Sequence, residues 1–477
     1  MKKLLNQCYI VAIYYTLLSL VCSIPFYEYV FQHSTDALLK MSVVVLLPLV
    51  NFWAAYTLLS LTRVVGKVIL SLLHVLSATA FYFITVYHTM MDETMLRNVF
   101  NTQWSEASGF VTLPAVLMFL LFAVLPAVLP FLVNTLYPTW KRFGITTGST
   151  LAAALLLILL NAKSALWIGE HDTELGGLVM PWSYTVNTCR IISQNSAANE
   201  EEILLGDAII ENDSHEAVVL VIGESARRAN FSLYGYERQT NPQLEKLRDE
   251  LTLIACDAEE TYTTAGVRAI LTPEPSAQLL EPLPNYLFRN GVDVAWWTTN
   301  WGEPPIHIDE YCKFDATDDG AMFSEIGARI RSSQNNKVLV VLHTSTSHGP
   351  KYARRYPEQF CRFTPASDDV EKTELQYLVN SYDNSILYTD HLLASAIDTL
   401  KTLEGWHTTM VYISDHGESL GEDGLFMHGV PRKIAPAVQY EIPYIIWSSE
   451  KLTNSPDDHA SQYSVFNLVL NQLSISR

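Results

Sequence analysis

The chain has 477 residues and a formal net charge of −19, so it is too long for one hydrophobic core, and its acidity argues against a nucleic-acid partner. The charge is unevenly distributed. Residues 1–170 hold 9 Lys and Arg against 6 Asp and Glu, and the remaining residues hold 22 against 44. The sequence therefore predicts two regions, the first apolar and slightly basic, the second soluble and acidic.

Five apolar stretches in the first region are long enough to cross a membrane. They cover residues 8–30, 41–61, 68–88, 110–136 and 145–168. Each approximates the roughly 20 residues that a membrane-spanning helix needs. The stretch after Lys2 and Lys3 lacks a small-residue cleavage site, which indicates a retained anchor. Basic loops at Arg63 and Lys141 alternate with acidic segments, so the positive-inside rule predicts a cytoplasmic N-terminus and an outward-facing second region.

The second region has the pattern of an α/β domain. Residues 171–215 lack strand signals and include a polar run at 193–202, which predicts a bridging segment and linker. From residue 216 onward, short apolar strands alternate with helical patterns, as in a doubly wound α/β fold. We therefore predict a transmembrane domain at 1–170, a bridge at 171–215 and a catalytic domain at 216–477.

Three of the predicted strands run directly into acidic or imidazole side chains. Glu224 follows residues 217–223, His348 follows 337–343, and Asp415 and His416 follow 409–414. Ligands bind outside the carboxyl ends of parallel strands. Glu224 alone would also suit a helix cap, and Asp415 with His416 a solvated turn. Together they predict a divalent-cation site suited to phosphoryl transfer.

Further candidates lie in loops rich in small residues. His348 and His428 each precede a glycine, and they offer ligands for a second cation or an acid for a leaving group. Thr263 and Thr264 follow a predicted strand at 251–255 and offer hydroxyl groups that a neighbouring metal would activate.

Several motifs in combination carry a family resemblance. They are Gly-Glu-Ser-Ala-Arg at 223–227, Ser-His-Gly-Pro at 347–350, Ser-Asp-His-Gly-Glu-Ser-Leu-Gly at 414–421 and His-Gly at 428–429. On these motifs the chain resembles the membrane-bound phosphoethanolamine transferases of Gram-negative bacteria, the lipid A or lipooligosaccharide type within the alkaline phosphatase–sulfatase superfamily. The resemblance extends over nearly the full length.

The resemblance also implies a set of site residues. Zn²⁺ is expected at Glu224, Asp415, His416 and a threonine, with one ion expected and a second as an option. The family threonine precedes an alanine, so Thr264 is the first choice as nucleophile and ligand, and Thr263 is the alternative. His348 is then expected to assist catalysis. His428 and Asn300 are expected to bind the substrate.

Two departures from the family pattern concern the substrate pocket. The nucleophile is followed by Val267 and Arg268 instead of a Ser-Val-Pro-Cys-like run, and Glu303 stands where the Asn300 loop usually has a lysine. Arg268 has the spacing found in sulfatase nucleophile motifs. Threonine cannot form the formylglycine that sulfatases use, however, so an ordinary sulfatase is not expected.

The resemblance implies transfer of phosphoethanolamine from phosphatidylethanolamine to an envelope acceptor, through a phospho-threonine intermediate. Lipid A, the lipopolysaccharide core and another periplasmic glycan remain open as acceptors. The expected location is the bacterial inner membrane, with the catalytic domain in the periplasm. Two alternatives are a glycerol-phosphate transferase of the same superfamily and an inactive envelope scaffold.

Overall fold

The chain forms two compact units in the computed structural model, Met1–Ser193 and Gln194–Arg477. The structure describes residues 7–102, 107, 110–197, 202–276, 278–314, 319–368, 374–452 and 456–477. Lys2 and Lys3 of the topology prediction lie outside these residues. The division between the units falls within the predicted bridge at 171–215. The first part of that bridge is helical, and Leu178, Met180 and Tyr184 belong to an apolar cluster of the first unit.

The first unit is built from helices, and its described residues include no strand. Its helices are α1 Gln7–Cys22, α2 Ile24–His33, α3 Ala37–Thr62, α4 Val64–Tyr87, α5 Glu93–Asn101, α6 Leu113–Met118, α7 Leu125–Val128, α8 Trp140–Leu160, α9 Ala165–Glu170, α10 Asp172–Leu178 and α11 Trp182–Ala197. Among the described residues, four segments are long and apolar enough to cross a membrane: α3, α4, α8 and Leu113–Leu132. The pair α1 and α2, bent by 54° where they meet, makes a fifth if it is one span. The membrane-spanning character predicted for the first region is thus confirmed.

The segment Leu113–Leu132, here called the broken span, departs from a regular α-helix. It passes from α6 through a π-helical turn at Phe119–Val124 into α7, and it ends in a 3₁₀ turn at Leu129–Leu132. Pro126 and Pro130 explain the irregularity, because each lacks the N–H that would bond four residues back. Irregular backbone at membrane depth is tolerated only where the protein satisfies its polar groups.

The second unit is built around one large sheet. Its strands are β1 Ile209–Ile210, β2 Glu216–Gly223, β3 Leu251–Asp257, β4 Asp293–Thr298, β5 Glu310–Lys313, β6 Lys337–His343, β7 His407–Ser414, β8 Ser419–Leu420, β9 Phe426–Met427, β10 Glu441–Ser448, β11 His459–Ser461 and β12 Ile475–Ser476. Its α-helices are α12 Thr263–Leu271, α13 Leu283–Arg289, α14 Gly320–Ser332, α15 Leu375–Lys401 and α16 Ser464–Gln472. The order in the eight-stranded sheet is β11-β3-β10-β7-β2-β6-β4-β5.

Helices cover both faces of this sheet. On β2, Val219 and Val221 join an apolar cluster that includes residues of α14 and α15. The alternate residues, such as Leu220, join a second cluster with residues of α12, α13 and α16. This alternation follows from the two-residue period of a strand. The predicted doubly wound α/β fold is confirmed, with the addition that β10 runs antiparallel between β3 and β7 and makes the sheet mixed.

The register of the central strands brings the predicted site residues to one edge. β2 lies parallel to both β6 and β7, and Ile222 pairs with His343 on one side and with Ile413 on the other. The residues after these strands, including Glu224 and Asp415, therefore leave the sheet at the same level. This is the edge where α/β proteins bind their ligands.

Candidate active site

Glu224 and Asp415 form the acidic centre of the site. Both are buried. Ser225, between the strand and its following loop, adopts a φ of 54°, a left-handed conformation that non-glycine residues rarely adopt. That conformation lets the Ser225 hydroxyl donate to Glu224 Oε1 at 2.6 Å and its N–H donate to Asp415 Oδ1 at 3.0 Å.

The two oxygens of Asp415 have different roles. Oδ1 accepts hydrogen bonds from the N–H groups of Ser225 and His416, the second at 2.7 Å. Oδ2 is buried and accepts no hydrogen bond from the described residues. An unsatisfied buried carboxylate oxygen is costly. It points to a positively charged ligand at this position.

His416 has its free nitrogen directed toward that same oxygen. Its Nδ1 lies 2.8 Å from the Gly417 carbonyl oxygen, so Nδ1 donates and Nε2 keeps a lone pair. Nε2 lies 3.3 Å from Asp415 Oδ2, 3.5 Å from Glu224 Oε1 and 3.3 Å from Thr263 Oγ1. Three oxygens thus surround one imidazole nitrogen, as expected for the ligands of a common ion.

Thr263, and not Thr264, places its hydroxyl at this meeting point. Thr263 is the first residue of α12, it is buried, and its Oγ1 lies 3.4 Å from Glu224 Oε2. Thr264 makes no such contact in the described structure. Successive helix residues point about 100° apart, so the Thr264 side chain leaves α12 in a different direction. The geometry therefore favours the alternative Thr263 over the first choice Thr264 as the hydroxyl at this centre.

A close helix approach explains how Thr263 reaches the site. A Cβ atom at Gly266 would lie 2.2 Å from the carbonyl oxygen of Asp415. The absent side chain lets α12 pack directly on the backbone of a predicted ligand. Gly266 was not predicted as a site residue. Its signal is that it lies one helical turn after the threonine.

The two predicted loop histidines also reach the site. The ring centroid of His428 lies 4.2 Å from that of His416 and 6.0 Å from that of His348. One nitrogen of His428 lies within 4.8 Å of ligand atoms of both Glu224 and His416. His428, predicted to bind substrate, is therefore also placed to ligate a metal.

Asn300 supports Glu224. Its Nδ2 donates to Glu224 Oε2 at 2.7 Å and to the Thr344 carbonyl at 2.8 Å, and its Oδ1 accepts from the Trp301 N–H at 2.9 Å. These contacts engage both the amide nitrogen and the amide oxygen. The structure thus favours a positioning role for Asn300 over the predicted phosphate contact.

Arg268 does not contribute its charge to the site. Its guanidinium donates to the carbonyl oxygens of Ser276 and Gln278 at 3.2 and 2.5 Å. These hydrogen bonds hold it to the loop that follows α12. Arg268, whose spacing resembles that of sulfatase motifs, therefore has a structural role in this loop.

The buried carboxylates carry strongly perturbed acidities. Burial acts to raise the pKa of Glu224, but His348, His416 and His428 outweigh it and hold that pKa well below its usual range. Burial, followed by repulsion from Glu224, raises the pKa of Asp415. Burial also raises the pKa of Glu418 to about 8. Several buried acids around one point repel one another unless a cation joins them.

The residues present fit a zinc ion. Zn²⁺ is typically bound by imidazole nitrogen and carboxylate oxygen, and the site offers both around the unsatisfied Oδ2 of Asp415. Glu418 was missed as a contributor. Its Oε2 lies 3.5 Å from His428 Nδ1, and its place in the motif at 414–421 was the available signal.

Comparison with known proteins identifies the class that this fold and site define. The Sulfatase family model matches residues 216–474, and a model described as Phosphoethanolamine transferase EptA/EptB matches residues 49–196. The superfamily of the second unit is thus that of the sulfatases. The chain belongs to the phosphoethanolamine transferases and is a membrane-embedded enzyme of that family.

Individual relatives cover most of the chain. Phosphoethanolamine transferase EptA of Helicobacter pylori is 34% identical over 444 residues, which are 89% of this chain and 84% of that protein. The structure of lipooligosaccharide phosphoethanolamine transferase A from Neisseria meningitidis aligns with a TM-score of 0.87 at 25% identity, covering 98% of this chain and 95% of the other. A zinc complex of the periplasmic domain of EcEptC from Escherichia coli aligns with a TM-score of 0.50 at 25% identity, covering 58% and 87%.

Proposed function

We propose that this enzyme moves phosphoethanolamine from phosphatidylethanolamine to a lipid A-type acceptor, with Thr263 as the nucleophile. The proposed setting is the bacterial inner membrane, with the second unit in the periplasm. Support for the acceptor comes from the lipooligosaccharide transferase to which the chain is similar. Support for the compartment comes from the periplasmic domain named above.

The observation that carries the proposal is the position of Thr263 Oγ1, 3.4 Å from Glu224 Oε2 and 3.3 Å from His416 Nε2. In the first step Thr263 Oγ1 bonds to the phosphorus while the bond from phosphorus to the glycerol oxygen breaks. The Thr263 proton passes to solvent, and His348 as an imidazolium supplies a proton to the glycerol oxygen of the departing diacylglycerol and becomes neutral. In the second step an acceptor oxygen bonds to phosphorus while the bond from phosphorus to Thr263 Oγ1 breaks; exchange with solvent removes any proton of the acceptor and returns one proton each to Oγ1 and His348.

The residues around Thr263 define its reactivity. Zn²⁺, held by Glu224, Asp415, His416 and Thr263, would lower the pKa of the hydroxyl and neutralise charge on the phosphoryl oxygens. The Gly417 carbonyl fixes the tautomer of His416. Asn300 fixes the carboxylate of Glu224. His428 lies beside Glu224 and His416 and is the first candidate to bind a second ion or to contact the phosphoryl group.

The test compares two neighbouring threonines. We expect Thr263→Ala to lower turnover of phosphatidylethanolamine in proteoliposomes by about 10³-fold or more, the range seen when a nucleophile is removed. Thr264→Ala, the matched control, should retain most of the activity. Mass spectrometry of the 263–271 peptide should show a phosphoethanolamine adduct on Thr263. Loss of activity in Thr264→Ala alone would refute the assignment, and a glycerol-phosphate adduct would establish the alternative transferase.

The acceptor is tested in cells. Mass spectra of lipid A, core oligosaccharide and periplasmic glycans should differ by one phosphoethanolamine on lipid A when cells with and without the enzyme are compared. The added amine offsets phosphate charge, so cells with the enzyme should bind polymyxin more weakly. Unchanged lipid A with a modified glycan would contradict the proposed acceptor and leave the chemistry at Thr263 intact.

A further inference from the structure

The first unit contains a large apolar cavity with no role in the chemistry described above. Its volume is about 980 Å³, which is the size of sites that hold small molecules. It lies between the C-terminal end of α1, the second half of α4 and the broken span. Its walls include Leu18, Ala78, Phe81, Phe119 and Phe122.

The backbone of the broken span shapes one wall and is held in place by hydrogen bonds from α1 and α4. Pro126 leaves the Phe122 carbonyl without its helical donor, and His74 Nε2 lies 2.9 Å from that oxygen and donates to it. Pro130 likewise frees the Pro126 carbonyl, to which the Tyr14 hydroxyl donates at 2.9 Å. The freed carbonyls of the broken span thus accept hydrogen bonds from neighbouring helices. The cavity is therefore pre-formed, and its walls are left apolar.

The dimensions match one leaflet of a bilayer. On α4 the lining runs from His74 to Phe83, a length of about 14 Å at 1.5 Å per residue. That is about half of the roughly 30 Å hydrocarbon thickness, the depth that one acyl chain occupies. The lining residues Val111 and Leu120 are exposed on the apolar surface of the unit. The cavity is therefore continuous with the surface that the membrane-spanning helices present to lipid.

We propose that this cavity is a binding site for one acyl chain of a membrane phospholipid, inserted from the leaflet at the C-terminal half of α4. Under the predicted topology this is the outer leaflet. The surrounding solvent is hydrocarbon, and the lining offers almost no polar surface, so an acyl chain is the occupant whose chemistry fits. The site accepts a chain and not a headgroup, and it does not depend on the chemistry at Thr263.

The experiment uses the full chain in nanodiscs that contain phosphatidylcholine with a diazirine in one acyl chain. After irradiation, mass spectrometry should find labelling concentrated on peptides from α4 and the broken span, above that on α8, whose exposed face contacts bulk lipid. Thr263→Ala should be labelled like the unmodified enzyme, which separates this result from the proposed function. Uniform labelling of all spans would overturn the proposal.

Matched variants sharpen the test. Ala78→Phe places a ring inside the cavity and should lower labelling of the broken span by about tenfold, the effect of about 1.4 kcal/mol of lost binding free energy. Ala152→Phe adds the same ring to the exposed face of α8, outside the cavity, and should leave labelling unchanged. Melting temperatures in detergent identify a variant that fails to fold, and Ala115→Phe then replaces Ala78→Phe. Unchanged labelling of the broken span in a folded Ala78→Phe or Ala115→Phe variant would refute the site.

Discussion

The two units bury polar side chains for different purposes. In the first unit, Tyr14, Ser71 and His74 donate hydrogen bonds to backbone carbonyls of the broken span. In the second unit, Asp415 Oδ2 and Glu418 Oε1 are buried without a hydrogen bond from the described residues. In the first unit these hydrogen bonds satisfy carbonyls of the irregular helix. In the second unit the carboxylates keep negative charge that a bound cation would neutralise.

The comparison gives a physical criterion for separating structure from function. A neutral donor paired with a freed carbonyl restores a lost hydrogen bond and contributes modestly to stability. A buried carboxylate whose oxygen has no donor costs much more, because an uncompensated charge is expensive in a low-dielectric interior. Such a cost is tolerated where a cation is bound. The following predictions test this criterion, from the largest expected effect to the smallest.

Asp415→Asn should have the largest effect. An Asn amide cannot offer a second anionic oxygen at the position of Oδ2, so we expect activity to fall by about 10³-fold and bound zinc to be lost. Activity in proteoliposomes and elemental analysis measure the two effects. Asp390→Asn is the matched control, because both Asp390 oxygens already accept backbone N–H groups, of Gln243 and Leu244. It should alter stability and keep the zinc, and a normal zinc content in Asp415→Asn would contradict the criterion.

Gly266→Ala should disturb the site through its backbone. The new Cβ would lie 2.2 Å from the Asp415 carbonyl oxygen, so α12 must shift and carry Thr263 with it. A displacement of about 1 Å can cost about 10²-fold in rate. The matched control is Gly206→Ala, where nothing lies within 4 Å of the added atom. Equal kcat values for the two variants would show that the approach of α12 does not position the proposed nucleophile.

Asn300→Ala separates positioning from substrate binding. It removes the hydrogen bond to Glu224 Oε2, and loss of a group that orients a metal ligand typically costs about 10- to 100-fold in metal affinity or activity. We expect zinc affinity and kcat to fall while the KM for phosphatidylethanolamine changes little. A rise in KM with unchanged zinc affinity would instead support the phosphate contact predicted from the sequence.

Ser71→Ala should have the smallest effect, and only on the first unit. The Ser71 hydroxyl donates to the Ala127 carbonyl at 2.7 Å, and such a bond within a membrane is worth about 0.6 kcal/mol on average. Thermal unfolding in detergent should show a small loss of stability, with kcat and zinc content unchanged. Thr85→Ala on the same helix is the control, because its hydroxyl bonds to its own turn at Phe81. A loss of zinc in Ser71→Ala would contradict the distinction between structural hydrogen bonds in the first unit and a cation site in the second.

Local patterns made much of the fold predictable. The apolar spans and the α/β domain depend on periodicity and length, which are properties of consecutive residues. The approach of Glu224, Asp415 and His416 was also predictable, because parallel strands end at one edge of a sheet. The break in the fourth span was not predicted, since its stability depends on donors from α1 and α4.

The sequence by itself determined a two-region chain, membrane-spanning and then α/β, with acids and histidines following three central strands. The tertiary structure decided which threonine hydroxyl faces them, because the rotation of α12 is set by its contact with the Asp415 backbone at Gly266. It also decided that Asn300 supports Glu224. Both outcomes depend on contacts between residues distant in sequence, and adjacency along the chain carries no information about which side of a helix turns inward.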